Sequence, residues 1–404
     1  MNALPKLKQR VEYTHKYNTR SGRHGWLRLT PAYSVKIVEE LLAKYDGGGP
    51  VLDPFCGSGT TALCAAQYGL PSTTTDINPF LVWLAQVKTR KYNPTEVASA
   101  RNALETLLAR MGKDFDLAPV PPIHKIERWW SDCNLTFLRE LRGAIDGLGV
   151  PQAEKDLLDV AFCRTLIKLS NASFNHQSMS FKDNQPELSL VTDAPAIYRA
   201  DASHVLETCQ DDIHSDTTVC LQDARLLDSD SLGKFDLVIT SPPYANRMSY
   251  IRELRPYMYW LRYLHEPREA GELDWLAIGG TWGVATSRLN GWTIRENYRN
   301  DHLSSVVAAI SGSHNRHAET LSRYVRKYCE DMFAHLSSLA RVLRRGARIH
   351  YIVGNSTFYG TLVSVERLYA DMMEKVGFSN IDIRAIRKRN SKKELVEFVV
   401  SATW

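Results

Sequence analysis

The segment VLDPFCGSGTT, residues 51–61, decides how the rest of the chain reads. A short apolar strand (PVLDP, 50–54) runs into a turn in which Gly57 and Gly59, lacking Cβ atoms, let the backbone bend tightly and approach a ligand. The helix that follows (TTALCAAQYG, 60–69, stopped by Gly69 and Pro71) offers its unpaired N-terminal amides to a carboxylate. STTTDI (72–77) is a second strand, and Asn78 with Pro79 caps the helix FLVWLAQVK (80–88). Strand, helix, strand, helix predicts a parallel sheet with right-handed crossovers. Asp53 ends the first strand, where ligands bind in open α/β sheets, and Asp76 ends the second, placed to accept hydrogen bonds from both hydroxyls of a ribose. A dinucleotide site is the competing reading, but it usually needs G-x-G-x-x-G, and this loop is F-x-G-x-G.

Upstream, Thr30-Pro31 followed by AYSVKIVEELLAKY (32–45) reads as a capped amphipathic helix ended by the glycines 47–49. Downstream, the alternation breaks near residue 94. Residues 94–216 carry helical periodicity (VASARNALETLLARM, LTFLRELRGAIDGL, EKDLLDVAFCRTLIKL) and a polar run, SNASFNHQSMSFKDNQPE, and are expected to form a largely helical insertion. Strands resume with TVCLQDA (218–224) and FDLVIT (235–240), continue after a long helix (319–343) with ARIHYIVGN (347–355), and close with NIDIRAI (380–386) and ELVEFVVSA (394–402). The expected division is therefore 1–93 (basic arm and first half of the sheet), 94–216 (insertion) and 217–404 (second half of the sheet, with 265–318 a possible further insertion).

DPFCGSGTT resembles the cofactor-binding motif of the nucleic-acid amino-methyltransferases, which use S-adenosyl-L-methionine. The resemblance implies a Rossmann-like class I methyltransferase sheet, α/β, mostly parallel with an antiparallel C-terminal strand. It further implies that Phe55, Gly57, Gly59, Thr60 and Thr61, beside Asp53, wrap the methionine moiety, that Asp76 holds the ribose, and that Ile77 packs on the adenine. Asp223, with Ala224 next to it in LQDA, would take the adenine amine, and WLRLTPAYS (26–34) resembles a further cofactor segment, best matched at Thr30 and Pro31.

The second decisive segment is ITSPPY, residues 239–244, directly after FDLVIT. An exocyclic amine on a nucleobase is a poor nucleophile because its lone pair is delocalised into the ring. The Ser241 hydroxyl and the Pro242 carbonyl can accept its two hydrogens and leave the lone pair aimed at a methyl group. Pro242 and Pro243 stiffen the loop, and Tyr244 supplies a flat face for a base swung out of the helix. Ser241 is thus no hydrolase-type nucleophile. Within the family S-P-P-Y resembles the cytosine-N4 DNA enzymes, whereas adenine-N6 enzymes more often carry D-P-P-Y or N-P-P-Y. Cytosine-C5 methylation needs a cysteine, usually following a proline, and no cysteine here does. The segment order, with glycine loop before SPPY, is one of the family's known permutations; the resemblance does not cover the insertion.

Downstream of SPPY, Arg247, Tyr250 and Arg252 are candidates for nucleic-acid contact, because arginine beside aromatics suits phosphates next to an extruded base. For Tyr257 to Tyr263 the expectation is a helix whose aromatic face packs on the sheet. Trp129 and Trp130 in the insertion, and Trp282, Arg288, Trp292, Arg295, Arg299 and His314 to His317 beyond it, compete as recognition elements.

Composition agrees with a large globular chain: 404 residues, 44% hydrophobic and 24% charged. The net charge of +5 is concentrated in residues 6–28 and 384–393, which suits a polyanionic partner as well as a solvated surface. Seven cysteines without a C-x-x-C pair or zinc spacing predict neither a disulfide framework nor a metal site, and imply a reducing cytoplasm. No membrane span is expected. The expected partner is double-stranded DNA, with a cognate restriction endonuclease acting on the same site. Adenine-N6 methylation, an RNA amino-methyltransferase and a non-catalytic binding subunit with a vestigial pocket are the alternatives.

Overall fold

The computed structural model describes residues 7–19, 21–27, 29, 33–113, 116–173, 180–181, 193–210, 212–389 and 394–404. Seven strands build one sheet: β1 Val51–Asp53, β2 Ser72–Asp76, β3 Thr217–Leu221, β4 Phe235–Thr240, β5 Leu343–Gly354, β6 Ser379–Lys388 and β7 Val396–Thr403. In space they run β6-β7-β5-β4-β1-β2-β3. The pairs β1–β2, β1–β4, β2–β3 and β4–β5 are parallel. Only β7 runs the other way, inserted antiparallel between β5 and β6. This is the class I methyltransferase sheet. Its winding reverses between β1 and β4, so the carboxyl ends of those two strands open side by side onto the crevice where such sheets bind ligands.

Both faces of the sheet are covered, which explains why its central strands read as continuous apolar runs. Val51, Leu237, Ile239, Ile352 and Val399 share a core with α1 (Val35–Leu42) and with Cys64 and Ala65 of α2 (Thr60–Gln67). Their neighbours Leu52, Val238, Tyr351, Val353 and Val400 point the opposite way, into a core with the helices Ala318–Leu339 and Val365–Val376. The period of two along each strand makes this partition.

A third core belongs to the helices beyond residue 94. Pro94–Arg110, Asp132–Asp146, Gln152–Lys168 and Ala194–Thr208 pack against α3 (Pro79–Thr89) and α4 (Tyr250–Trp260). Three features differ from expectation here. The aromatic face of α4 packs on this helical layer and not on the sheet: Tyr257 stacks on Phe80 with centroids 5.2 Å apart, and Trp260 meets Phe162 at 5.6 Å. The reason is that the helices beyond residue 94 have apolar stripes of their own to bury, and α4 supplies the facing surface. Trp130 is fully buried, with its Nε1 donating to the Leu166 carbonyl at 3.0 Å, which removes it as a nucleic-acid contact. Finally, α1 is capped by Ser34, whose Oγ accepts the Lys36 amide at 3.2 Å, and it ends at Leu42, well before the glycines; Thr30 and Pro31 lie outside the described residues.

The layer joined by Trp130 is expected to depend strongly on that residue. Trp130→Ala should lower unfolding free energy by about 3–5 kcal/mol in urea denaturation, and a loss below about 1 kcal/mol would show that the layer does not rest on this contact.

Candidate active site

A cleft opens at the carboxyl ends of β1 to β4, where open α/β sheets bind ligands. Each strand delivers one piece of its wall: Phe55, Gly57 and Ser58 after β1, Asp76, Ile77 and Asn78 after β2, Gln222, Asp223 and Ala224 after β3, and Ser241 and Pro243 after β4. The glycine turn and the proline loop, 180 residues apart in the chain, therefore face one space.

The two glycines do different work. Gly57 has φ +52° and an added Cβ would meet nothing nearer than 3.8 Å, so its missing side chain leaves room in the cleft. Its amide donates to Asp76 Oδ2 at 3.0 Å. Gly59, φ +74°, is the residue before α2, and a Cβ there would stand 3.2 Å from that of Ala85; it allows α2 and α3 to approach and does not line the cleft. Thr60 and Thr61 also lie behind the wall, buried. The Thr61 hydroxyl donates to the Ile239 carbonyl at 3.0 Å and lies against the Tyr33 hydroxyl, so the side chains of these two threonines are buried beneath the turn.

Asp53 is likewise buried and acts through its neighbours. Its Oδ1 accepts the Thr240 hydroxyl at 2.6 Å and the Phe55 amide at 3.1 Å, and its Oδ2 accepts the Tyr33 hydroxyl at 3.1 Å. Burial raises its carboxyl to about 7 against the pull of these donors. Lys88 closes the underside of the turn. Fully buried, it donates from Nζ to the Ser58 carbonyl at 2.8 Å, and burial lowers it to about 8.

Asp76 faces the cleft with the amides of Gly57 and Asn78 on its two oxygens, and burial lifts it to about 6. Next to it, Asn78 uses Oδ1 to cap α3, while its Nδ2 is a buried donor without an acceptor among the described residues. A hydrogen-bond acceptor on a ligand would satisfy that donor. Asp223 lines the cleft, but Arg225 holds it: the guanidinium reaches its oxygens at 3.0 Å and 2.6 Å and keeps the carboxyl below the usual range against burial. The Ala224 carbonyl accepts His335 and Ser338, each at 2.8 Å.

In the proline loop the hydrogen bonds leave a definite pair of acceptors. Ser241 donates its only hydroxyl hydrogen to the Ile352 carbonyl at 3.1 Å, so its lone pairs stay free to accept. The Pro243 carbonyl is taken by Tyr328 at 2.8 Å, whereas that of Pro242, whose ring is buried, carries no bond among the described residues. The Tyr244 hydroxyl donates to Glu397 at 2.7 Å and Arg389 lies 4.9 Å from its ring centre, covering one face. Tyr250 lines the cleft, its hydroxyl accepting the Tyr244 amide at 3.2 Å. Arg247 is exposed, in a left-handed turn, and Arg252 sits on α4 away from the cleft wall.

The residues that sequence reasoning missed are Tyr33, Asn78 as a ligand contact, Lys88, Arg389 and Glu397. Two left a trace: Lys88 is the one cation in an apolar helix, and Glu397 an acid in an apolar strand, and ions in such runs usually have an assigned partner. Among the described residues no cluster of three or more metal-ligating side chains occurs, and no helix is long and apolar enough to cross a membrane.

A class I sheet with these two loops on one cleft defines a methyltransferase type of fold and site. No protein-family model matches the chain. It is, however, similar over most of its length to curated methyltransferases. Type II methyltransferase M.BsoBI of Geobacillus stearothermophilus is 23% identical across 95% of this chain and 84% of its own. M.MvaI of Kocuria varians is 22% identical across 80% and 74%, and M.AvaI of Nostoc sp. 20% identical across 94% and 84%. The resemblance read from two short motifs thus extends through the helices between them.

The raised carboxyl of Asp76 sets a pH dependence. A ligand that donates hydrogen bonds to this group prefers its ionised form, which prevails above about pH 6 and is lost below it. Calorimetric titration with S-adenosylhomocysteine should show constant affinity above about pH 7 and weakening as pH falls through about 6, and Asp76→Asn should abolish that step. An affinity independent of pH in the unaltered protein would contradict the contact.

Proposed function

We propose that the protein is an S-adenosylmethionine-dependent DNA methyltransferase that methylates N4 of a cytosine extruded from a specific double-stranded sequence, as the modification half of a restriction system. The observation that carries this reading is the shared cleft, walled by the glycine turn and Asp76 on one side and by Ser241 and Pro243 on the other.

S-adenosylmethionine, when bound, supplies an electrophilic methyl group on a sulfonium. Phe55, Gly57, Asp76, Ile77 and Asn78 would hold it; the open space over Gly57, the Asp76 carboxylate and the orphaned Nδ2 of Asn78 suit its carboxylate, ribose and adenine acceptors. Leu29 and Tyr33, which flank Thr30 and Pro31, line the same cleft, in keeping with a cofactor contact from that segment. For Asp223 a different part is favoured from the one its motif implies. Saturated by Arg225, it shapes the adenine wall together with Ala224 and leaves the adenine amine to other acceptors.

On the opposite wall the Ser241 oxygen and the Pro242 carbonyl act as the acceptors of the target amine. Both would accept hydrogen bonds from its N–H groups and stabilise the positive charge that develops on nitrogen as the N–CH3 bond forms and the S–CH3 bond breaks to leave a neutral thioether, the surplus proton of the methylated amine then passing to solvent. Catalysis would rest on positioning and electrostatics, without a covalent enzyme intermediate. Tyr244, held by Glu397 and backed by Arg389, offers its remaining face to the base. Serine at the head of the tetrapeptide favours cytosine N4. Arg247 and Tyr250, immediately after the loop, would meet the strand that carries the base, with Arg252 one turn further on.

The test is to incubate the protein with DNA and methyl-labelled S-adenosylmethionine, digest to nucleosides and separate the products by mass. N4-methylcytosine is expected. N6-methyladenine alone would move the reading to the adenine enzymes, and label confined to RNA would end it. Ser241→Ala should lower turnover by roughly 10²–10³-fold, as for loss of one preorganised electrostatic partner, while the affinity for S-adenosylhomocysteine stays unchanged.

A further inference from the structure

A second cavity lies on the other flank of α4. The same helix serves both spaces: Tyr250, Ile251 and Leu254 line the catalytic cleft, and Arg255 and Tyr259 line the second cavity. Its walls come from the segment around Lys125, Arg128 and Trp129 and from the segment holding Arg268 and Trp282. Of the four cations in this wall, Arg268 is paired with Glu272 at 3.3 Å, and Lys125, Arg128 and Arg255 have no ion pair among the described residues.

Arg255 is the centre of the cavity. Its guanidinium sits between two indoles, 5.3 Å from the ring centre of Trp129 and 5.1 Å from that of Trp282. The stack fixes the plane of the group and leaves its edge donors to seek acceptors. None is present among the described residues: Nη1 is buried and unbonded. Arg142 is held by Asp146 and Asp159, Arg164 by Asp201, and Arg225 by Asp223 and Asp331, whereas Arg255 has no ion pair among the described residues, and the neighbouring Arg252 also has a buried Nε without an acceptor there. Burial and the neighbouring Arg252 lower Arg255 only to about 10, so it is cationic at neutral pH. A fixed, desolvated cation that lacks an anion, among further cations, is a binding site for an anion.

We propose that this cavity binds a backbone phosphodiester of the nucleic acid whose base enters the catalytic cleft, with Arg255 as its principal partner and Lys125 and Arg128 at the rim. The proposal rests on the reading of that cleft as a nucleic-acid methylation site. From Tyr250 to Arg255 the helix rises about 7.5 Å, roughly two base steps of a duplex at about 3.4 Å each, so the nucleotide concerned is a near neighbour of the extruded one. Three cations without an acidic partner among the described residues, Arg255, Lys125 and Arg128, select a charged phosphate over the neutral edge of a base. Trp129, expected as a recognition residue, takes part as the plate that orients Arg255.

The experiment measures binding of a fluorescent duplex containing the methylated site as a function of salt, for the full chain and for Arg255→Met, which keeps the stem between the indoles and removes the charge. The variant should bind about tenfold more weakly and its logarithmic salt slope should shrink by about one, with S-adenosylhomocysteine affinity unchanged. Replacing single phosphates near the target by neutral methylphosphonates should weaken the unaltered protein at one position and leave the variant indifferent there. Equal affinity and equal salt slope in the two proteins overturn the proposal, as does a methylphosphonate scan with no such position. If Arg255→Met loses S-adenosylhomocysteine binding and hence its fold, Lys125→Gln combined with Arg128→Gln, both at exposed positions, must show the smaller slope, and an unchanged slope there overturns it equally. A chain that methylates this duplex while Arg255→Met binds it normally refutes the second contact alone; a chain that binds S-adenosylhomocysteine but no DNA refutes the reading of the cleft and the second contact with it.

Discussion

The hydrogen bond from the Thr240 hydroxyl to Asp53, 2.6 Å long and buried, is the constraint on which the site depends. It ties the last residue of β4 to the last residue of β1, one step before the proline loop and the glycine turn begin. Tyr33 and Thr61 extend the tie, since Tyr33 reaches Asp53 and Thr61 reaches the Ile239 carbonyl. On the proposed function, two loops that must hold a methyl donor and an acceptor about 3–3.5 Å apart are thereby mounted on a single cross-braced pair of strands. Placing the acid behind the wall, and not in it, costs desolvation, which is why its carboxyl rises to about 7. The network of donors around it holds the charge that the tie needs.

The same principle of satisfied groups runs through the cleft. Ser241 donates to Ile352, Tyr328 occupies Pro243, and Tyr244 is anchored on Glu397, so three of the loop's polar groups have fixed partners and the remaining acceptors are defined by what is left over. Glu397 in turn is held by Arg387 at 2.7 Å, linking the active-site tyrosine to the antiparallel strand β7 and its neighbour β6. The inserted C-terminal strand thus contributes to the site as well as to the sheet. Asn78 Nδ2 and Arg255 Nη1 belong to the buried polar atoms without a partner among the described residues, and both residues line a cavity in which something outside the chain can complete the bonding.

Much of this was legible in the sequence because it is local. Strand, glycine turn and helix follow one another within VLDPFCGSGTT, and Asn78-Pro79 caps the next helix as its residue types require. The sheet could be expected from alternation, and Asp76 and Ser241 from their positions at strand ends. What stayed hidden is non-local. Nothing near Lys88 announces that its ammonium ends under Ser58, and the pairing of Tyr244 with Glu397 spans more than 150 residues. The motif does not announce that the Thr61 hydroxyl reaches the Ile239 carbonyl, 178 residues away in the chain. Trp129 and Trp130 are adjacent in sequence, yet one is core alone and the other also walls a cavity, a distinction set by α4 arriving from residue 250 onward.

The central claim is that donor and acceptor meet in one cleft, and a crystal structure with sinefungin and a duplex containing the methylated site tests it most directly. The account predicts the analogue against Phe55, Gly57 and Asp76, and a cytosine out of the helix with its amino nitrogen at the Ser241 oxygen and about 3–3.5 Å from the transferring position. An analogue bound elsewhere, or a base held away from Ser241 while the crystals remain competent for methylation, would contradict it.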